Sequence, residues 1–181
     1  MTKVLGQSQA LIEKVKNLKL LILDVDGVLT DGKLYFDNQG NEYKSFHARD
    51  GHGIKLLRQT GVEVAVISGR KSASVALRMK SLGIEYVYQG HENKIAAFND
   101  LIEKIAIAPE QAAHVGDDVL DLPVMTRVGL AIAVNDANPA VIERADWVTT
   151  LPGGQGAVRE VCDLIMQLQG SYETVLGTYL E

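Results

Sequence analysis

The chain has 181 residues, 46% of them hydrophobic, a length that favours one compact domain spanning residues 1–181. It carries 18 basic and 23 acidic residues, and this net charge of −5 disfavours nucleic acid as a partner. The single cysteine, Cys162, excludes an internal disulfide and is expected to be buried and inert. The longest apolar run is too short to span a bilayer, and residues 1–16 lack the features of a secretion signal, so we expect a cytoplasmic protein without membrane contact.

Short apolar runs alternate with helix-period segments from Leu20 to Gln169, a pattern typical of α/β proteins. It predicts a Rossmann-like parallel sheet with helices on both faces. The predicted strands are Leu20–Asp24, Val62–Ile67, Ile84–Tyr88, Ala112–Gly116, Leu130–Val134 and Trp147–Thr149. The predicted helices are Gly53–Thr60, Ser72–Leu82, Glu92–Ile105, Asp121–Val128, Pro139–Arg144 and Ala157–Leu168.

Three segments depart from this alternation. Residues 33–46 form two extended runs around Asn38-Gln39-Gly40, which predicts a β-hairpin flap inserted after the first strand. Gly153–Gly156 lack the Lys-Ser/Thr ending of a P-loop and are interpreted as a turn before the last helix. Residues 170–181 show no obvious core face and are interpreted as a C-terminal tail.

Acidic residues follow two of the predicted strands, where ligands bind to parallel sheets. Asp24 and Asp26 follow the first strand, and Gly27 lets the backbone turn so that both carboxylates can enter one pocket. Asp117 and its neighbour Asp118 follow the fourth strand, with Asp121 one turn later. Carboxylates this close repel one another unless a cation neutralises them, and hard oxygen ligands favour Mg²⁺.

Hydroxyl and basic groups lie at the remaining strand ends. Ser68, Gly69 and Arg70 follow the second strand and offer a hydroxyl, a backbone donor and a fixed positive charge. Lys94 begins the helix after the third strand, where an ammonium group favours an anion. Together these groups predict a phosphoryl-binding site.

In this order, the motifs D-x-D-G-V-L-T, S-G-R, Lys and G-D-D-x-x-D resemble the haloacid dehalogenase superfamily of phosphotransferases. The resemblance covers Leu20 to Ala157. It implies that Asp24 is the nucleophile and forms an aspartyl-phosphate intermediate, with Asp26 as general acid and base. It also implies that Ser68 and Lys94 bind the phosphoryl group. Side chains of Asp24 and Asp117 and the backbone carbonyl of Asp26 would hold the metal, supported by Asp118 and Asp121.

Only about forty residues separate Asp24 from Ser68, which leaves no room for a cap domain beside the hairpin and its following helix. With the further matching segments Phe46–Gly51 and Gly153–Glu160 and the cations Lys55, Arg70 and Arg78, the chain resembles the small capless phosphatases that act on 3-deoxy-D-manno-octulosonate 8-phosphate, in lipopolysaccharide precursor biosynthesis. That family forms homotetramers in which the hairpin closes a neighbour's active site. The resemblance implies a sugar-acid site contributed partly across subunits by His47, Ala48, Arg49, Asp50, Gly51, Lys55, Arg70 and Arg78, beside Asp26, Gly69 and Lys94.

Several alternatives stay open at this point. A phosphatase for sialic acid 9-phosphates has a similar pattern. A regulatory module that accepts a phosphoryl group on aspartate would stop near one equivalent of phosphate, and an inactive scaffold would release none. Asp118 and Asp121 could instead favour the N-terminus of the next helix, and the four substrate-binding cations, Arg49, Lys55, Arg70 and Arg78, could be ordinary surface charges.

Overall fold

The computed structural model describes residues 9–180. Its strands are β1 (Leu20–Leu23), β2 (Tyr35–Phe36), β3 (Glu42–Tyr43), β4 (Glu63–Ser68), β5 (Tyr86–Gln89), β6 (Ala112–Gly116), β7 (Leu130–Ala133) and β8 (Trp147–Val148). Its helices are α1 (Gln9–Lys16), α2 (Ala48–Gln59), α3 (Ala73–Leu82), α4 (Lys94–Ile105), α5 (Leu122–Met125), α6 (Pro139–Ile142), α7 (Ala157–Leu168) and α8 (Tyr172–Gly177).

Six strands form one parallel sheet in the order β5-β4-β1-β6-β7-β8, which confirms the predicted fold class. β1 lies in the middle, and all four of its residues are buried. Leu21 and Leu23 face the core beneath α2 and α7, whereas Leu20 and Ile22 belong to a second core that includes Phe98 of α4. An entirely apolar strand is the expected sequence for a strand covered on both faces.

The larger core also contains the cysteine. Cys162 is fully buried, as expected, and burial raises the pKa of its thiol far above the usual range. Because the thiolate is the reactive form, this side chain acts as a small apolar residue in the folded protein.

Two predicted helices have bounds that differ by three residues or more, and two helices, α1 and α8, were missed. α2 begins at Ala48 instead of Gly53, although glycine disfavours helix interiors. Packing overrides that preference, since a Cβ at Gly53 would lie 2.7 Å from Cδ of Arg159. α5 is one turn, shorter than predicted, and α1 was not anticipated because only Leu11 and Val15 of its residues are buried.

The interpretation of residues 170–181 as a tail without a core face is wrong for the described part. α8 places Val175 in the larger core, and the Ser171 N–H donates to the Met166 carbonyl, which folds the chain back after α7. A six-residue helix with one buried side chain leaves no periodic pattern in the sequence.

The predicted hairpin is present, with β2 antiparallel to β3. Its turn is held by Asp37, whose Oδ1 accepts the N–H groups of Gln39 and Asn41, while Gly40 supplies the left-handed conformation at φ 83°. The predicted turn at 153–156 also precedes α7. Within residues 9–180, no helix combines the length and the apolar character needed to cross a membrane.

Candidate active site

Two carboxylates stand at the ends of the adjacent strands β1 and β6. Asp24 follows β1 directly, and its N–H donates to the Val115 carbonyl, which fixes it beside Asp117 at the end of β6. Asp24, Asp117 and Asp121 each offer one carboxylate oxygen, and these three atoms lie within 4.8 Å of one another. The structure therefore brings these three carboxylates together at one edge of the sheet.

The chain turns sharply after Asp24. The Val25 carbonyl accepts the N–H groups of Val28, Leu29 and Thr30, which closes a tight loop, residues 24–30, called here the nucleophile loop. Gly27 adopts φ 91°, and a Cβ there would lie 2.0 Å from Oδ2 of Asp117. Glycine at this position therefore lets Asp117 approach the loop closely.

Lys94 connects the two acidic strand ends. It begins α4, its side chain is 2% exposed, and its Nζ lies 2.8 Å from Oδ1 of Asp24 and 2.7 Å from Oδ1 of Asp121. Burial lowers the pKa of Lys94, but the attraction of the two carboxylates outweighs it, so that pKa lies above its usual value. Lys94 is a fixed positive charge in this site.

Asp121 is fully buried and receives four donors. Its Oδ1 contacts Nε2 of His114 at 2.8 Å as well as Lys94, and its Oδ2 accepts the N–H groups of Asp117 and Asp118. Burial raises its pKa, but the hydrogen bond and charge of His114 and the charge of Lys94 outweigh this, so that its pKa lies below the usual range. Through these four hydrogen bonds, the ionised Asp121 carboxylate fixes the positions of Lys94 and of the backbone at Asp117.

The other two carboxylates are short of positive charge. Burial and repulsion from Asp121 raise the pKa of Asp24 to about 6. Burial and repulsion from Asp24 and Asp121 raise the pKa of Asp117 to about 8. Lys94 opposes both shifts without cancelling them. The oxygen-only donor set and its surplus negative charge fit a hard divalent cation such as Mg²⁺.

The end of β4 and the hairpin line the opposite side of the nucleophile loop. Ser68 is buried, and its Oγ accepts the N–H of Arg70 at 3.3 Å. The Arg70 guanidinium pairs with Glu42 of the hairpin at 2.7 Å and lies 4.0 Å from Oδ2 of Asp26. Lys44 of the hairpin contacts the other oxygen of Asp26.

The expected sugar-acid residues fall into separate groups within this chain. Arg78 lies beside Gly51, where a Cβ would be 2.2 Å from its Nη2, and its guanidinium stands over the Phe46 ring. His47 precedes the first turn of α2, which contains Ala48, Arg49, Asp50 and Gly51. Gly69 follows Ser68 and is half-buried.

Arg49 and Lys55 lie on other parts of the surface. Arg49 lines a cavity of about 450 Å³ with Trp147 and Arg159, and Lys55 lines a shallow depression beside Arg58 and Lys80. Neither side chain makes an ion pair with the acidic cluster in residues 9–180. Asp50 is buried and accepts the N–H of Arg159, so it ties α2 to α7.

Sequence reasoning assigned no chemistry to His114 and did not single out Lys44. His114 is fully buried on β6, two residues before Gly116, and its alternation along the strand directs it to Asp121. A polar residue inside an otherwise apolar strand was the signal available in the sequence. Lys44 gave none, because a lysine in a polar hairpin is ordinary.

Comparison with known proteins decides the family. The profile of the haloacid dehalogenase-like hydrolases matches residues 86–159. The 3-deoxy-D-manno-octulosonate 8-phosphate phosphatase of Escherichia coli K12 is 54% identical over 170 residues, which cover 94% of this chain and 90% of that protein. The chain belongs to this family of phosphatases. It is therefore an enzyme of the phosphoric monoester hydrolase class.

Solved structures of the phosphatase family share the fold. The enzyme from Yersinia pestis superposes with a TM-score of 0.91 at 46% identity, covering 92% of this chain and 90% of that one. The Moraxella catarrhalis enzyme, crystallised with a magnesium ion, a phosphate ion and a KDO molecule, gives a TM-score of 0.93 at 38% identity, covering 96% and 99%. The capless α/β architecture is thus that of the phosphatase family.

Proposed function

We propose that this phosphatase hydrolyses 3-deoxy-D-manno-octulosonate 8-phosphate to the free sugar acid and phosphate, with Mg²⁺ and an aspartyl-phosphate intermediate on Asp24. The observation that carries the proposal is Lys94, which bridges Asp24 and Asp121 from a buried position beside Asp117. A nucleophilic carboxylate with a fixed cation at 2.8 Å is suited to meet a dianionic phosphoryl group. The named activity of the family relatives supports the substrate.

The acidic cluster would hold the metal. The proposed ligands are the side chains of Asp24 and Asp117 and the backbone carbonyl of Asp26. Asp121 and Asp118 would hold these ligands in position without contacting the metal themselves. When bound, Mg²⁺ would neutralise part of the negative charge of the phosphoryl oxygens and of the surrounding carboxylates. The magnesium in the Moraxella catarrhalis complex supports this choice of ion.

In the first half of the reaction, a carboxylate oxygen of Asp24 attacks phosphorus. The bond from phosphorus to the ester oxygen breaks, its electron pair stays on that oxygen, and the Asp26 carboxyl gives the oxygen a proton. Lys94 and the Ser68 hydroxyl hold the phosphoryl oxygens. The sugar acid leaves with its hydroxyl restored, and Asp24 carries the phosphoryl group.

In the second half, water attacks the same phosphorus. The Asp26 carboxylate takes the proton from that water, the bond from phosphorus to Asp24 breaks, and its electron pair returns to the Asp24 carboxylate. Inorganic phosphate leaves, and both aspartates regain their starting protonation. Phosphate esters hydrolyse very slowly without a catalyst, so charge stabilisation by preorganised groups must supply most of the acceleration.

The substrate carries a carboxylate besides its phosphate, so its site needs cations other than Lys94. Arg70 and Arg78 are the proposed contacts from the same chain, beside Gly69 and the backbone of residues 47–51. Arg49 and Lys55 line other surfaces of this chain, so we assign them to a site shared with a neighbouring subunit.

A homotetramer would complete such shared sites. The hairpin exposes Leu34, Tyr35, Phe36 and Tyr43, each between 43% and 57% accessible. Exposed apolar side chains concentrated on this hairpin favour its contact with another subunit. The reduced, buried Cys162 is compatible with the cytoplasm, where the product would serve lipopolysaccharide precursor synthesis.

The test is Mg²⁺-dependent phosphate release from a panel of substrates. The panel holds 3-deoxy-D-manno-octulosonate 8-phosphate, two sialic acid 9-phosphates, hexose phosphates and nucleotides, with Asp24→Asn as the inactive control. We expect many turnovers on the first substrate and trapping of labelled phosphate on Asp24 in a rapid quench. Preference for a sialic acid 9-phosphate would reassign the substrate, release that stops near one equivalent would indicate a regulatory module, and no release would indicate a scaffold.

A further inference from the structure

The side chain of Lys44 is buried although the residue belongs to a surface hairpin. Its side chain is 2% exposed, and its ammonium contacts Oδ1 of Asp26 and lies 3.6 Å from Oε1 of Glu42. Lysine is seldom buried without a partner, because removing the charge from water is costly. The hairpin therefore carries a cation inward, to the residue proposed as general acid and base.

This contact makes the two oxygens of Asp26 different. Oδ1 is held by Lys44, whereas Oδ2 has the Arg70 Nε at 4.0 Å, which is beyond hydrogen-bonding distance. The Asp26 side chain is 22% exposed, so it is partly open to a substrate although Lys44 contacts it. One oxygen is anchored, and the other is available to give and take a proton.

Lys44 is itself held in place from the hairpin. Glu42 approaches the Lys44 ammonium and also pairs with Arg70 at 2.7 Å, next to the buried Ser68. When Asp26 is ionised, after it has given its proton to the leaving oxygen, the formal charges of Asp26, Glu42, Lys44 and Arg70 sum to zero. This balanced network connects the hairpin, the nucleophile loop and the end of β4 within one chain.

We propose that Lys44 is a positioning residue for Asp26: its ammonium fixes the Asp26 carboxyl group by Oδ1 so that Oδ2 faces the ester oxygen. This inference rests on the proposed function, in which Asp26 protonates the leaving oxygen and later accepts a proton from water. Lys44 itself transfers no proton and touches no reacting atom. The hairpin then serves the chemical step as well as any contact with a neighbouring subunit.

The dependence on the leaving group tests this role. A sugar alkoxide must be protonated as it leaves, whereas p-nitrophenolate leaves readily without a proton. In Lys44→Met we expect the single-turnover rate of phosphoryl transfer to Asp24 from the sugar acid phosphate, followed by rapid quench, to fall by roughly 10²-fold, the range of general-acid contributions. With p-nitrophenyl phosphate the same single-turnover rate should stay within about threefold, since p-nitrophenolate needs no proton to leave. Hydrolysis of the phosphorylated enzyme, which also uses Asp26, is common to both substrates and should slow equally for both.

Two comparisons separate positioning from a structural effect. Lys33→Met removes a 72% exposed lysine from the same segment and should leave both substrates unaffected. In an Asp26→Asn background, Lys44→Met should cause little further loss, because a residue that acts through Asp26 has nothing left to position. Glu42→Gln leaves Lys44 in place but weakens one of its two ionic contacts. The rate with the sugar acid phosphate should fall less than in Lys44→Met, and the rate with p-nitrophenyl phosphate should again change little.

Equal losses of the single-turnover rate on the alkyl and aryl esters, no loss on either, or an undiminished extra loss in the Asp26→Asn background would overturn the role of Lys44. Thermal unfolding of each variant checks that the fold is retained, and Glu42→Gln provides the test if Lys44→Met does not fold. Failure of the proposed substrate is seen separately in the wild-type protein. The same comparison can then be made with any alkyl phosphate that the wild type hydrolyses.

Discussion

Gly153 packs its backbone directly on the carbonyl of Gly27, so closely that a Cβ at position 153 would lie 1.6 Å from the Gly27 oxygen. The next residue is similar, since a Cβ at Gly154 would lie 2.4 Å from the Thr30 carbonyl carbon. The Gly153 N–H donates to Asp136, and the Gly154 N–H donates to the Val28 carbonyl. The glycine turn before α7 is thus a support for the nucleophile loop.

Gly153→Ala should therefore disturb both stability and catalysis. The added methyl group must push the Gly27 backbone away, and overpacking of this kind costs about 1–3 kcal/mol of the free energy of unfolding. Because Asp24 and Asp26 are in the same loop, we expect kcat to fall as well. Urea unfolding and steady-state kinetics measure the two effects.

Gly177→Ala is the matched control. A Cβ at Gly177, the last residue of α8, would meet nothing within 4 Å, and alanine is the better helix former. This variant should be as stable as the wild type or slightly more so, with unchanged kinetics. Equal behaviour of the two alanine variants would show that the contact with Gly27 imposes no constraint.

Asp121 should be as necessary as the residues it supports. Asp121→Asn removes the negative charge beside Lys94 and places an NH₂ group among four hydrogen-bond donors. We expect a loss of roughly 10–100-fold in kcat/KM or Mg²⁺ affinity, as for other residues that orient metal ligands. Kinetics over a range of Mg²⁺ concentrations would measure it.

A carboxylate paired with lysine on the surface gives the comparison for Asp121. Asp100 pairs with Lys104 one turn later on α4 at 2.7 Å, and both side chains are about half exposed. Asp100→Asn should change activity and stability little, because water screens an ion pair between exposed side chains. Similar losses in the two variants would argue against a special role for Asp121.

The placement of aspartates at two strand ends could be predicted from the sequence, because an apolar run followed directly by an aspartate is a local pattern. β1 and β6 are apolar runs followed at once by Asp24 and Asp117, and parallel pairing of neighbouring strands then brings the two carboxylates together. That β1 and β6 are neighbours, although β4 and β5 lie between them in the sequence, is decided by the tertiary structure.

Other parts of the site depend on contacts that no local pattern encodes. Lys44 reaches Asp26 across 18 residues because the hairpin folds inward, and the sequence shows only a lysine in a polar segment. α8 was missed for a related reason, since its packing rests on Val175 and on the return of the chain after Gly170. Burial of a single residue is decided by tertiary structure.

Removal of the metal should make stability depend on pH in a particular direction. Asp117 has a folded-state pKa of about 8 against an ordinary value of 3.8, so between these values the folded protein binds more protons than the unfolded chain. The free energy of unfolding of the metal-free protein should therefore fall as pH rises through this window. Asp24, whose pKa is raised to about 6, acts in the same direction.

Mg²⁺ should remove this dependence, because the cation favours the ionised carboxylates and its binding releases protons. Thermal unfolding in EDTA and in excess Mg²⁺, at about pH 5 and about pH 8.5, measures the effect, and the stabilisation by Mg²⁺ should be larger at the higher pH. Asp117→Asn should flatten the EDTA profile. A metal-free protein that becomes more stable over this range would contradict the assignment of the raised pKa values.

The exposed hairpin leads to a prediction about assembly and affinity. Leu34 and Phe36 are 48% and 57% exposed, and replacing both by serine removes apolar surface from the proposed subunit contact without removing a side-chain hydrogen bond. We expect Leu34→Ser with Phe36→Ser to weaken the tetramer in sedimentation velocity. Leu77→Ser, at a 70% exposed leucine on α3, should leave the assembly intact.

In a verified monomer we expect KM for the sugar acid phosphate to rise more than kcat falls. The contacts that carry the chemistry, Lys94 with Asp24 and Lys44 with Asp26, are made within one chain and survive dissociation. Contacts with the sugar acid from Arg49 and Lys55 of a neighbour would be lost, so affinity should suffer most. A monomer with unchanged KM would show that each chain binds its substrate alone, and a monomer that loses kcat equally on alkyl and aryl esters would show that assembly holds the nucleophile loop itself in place.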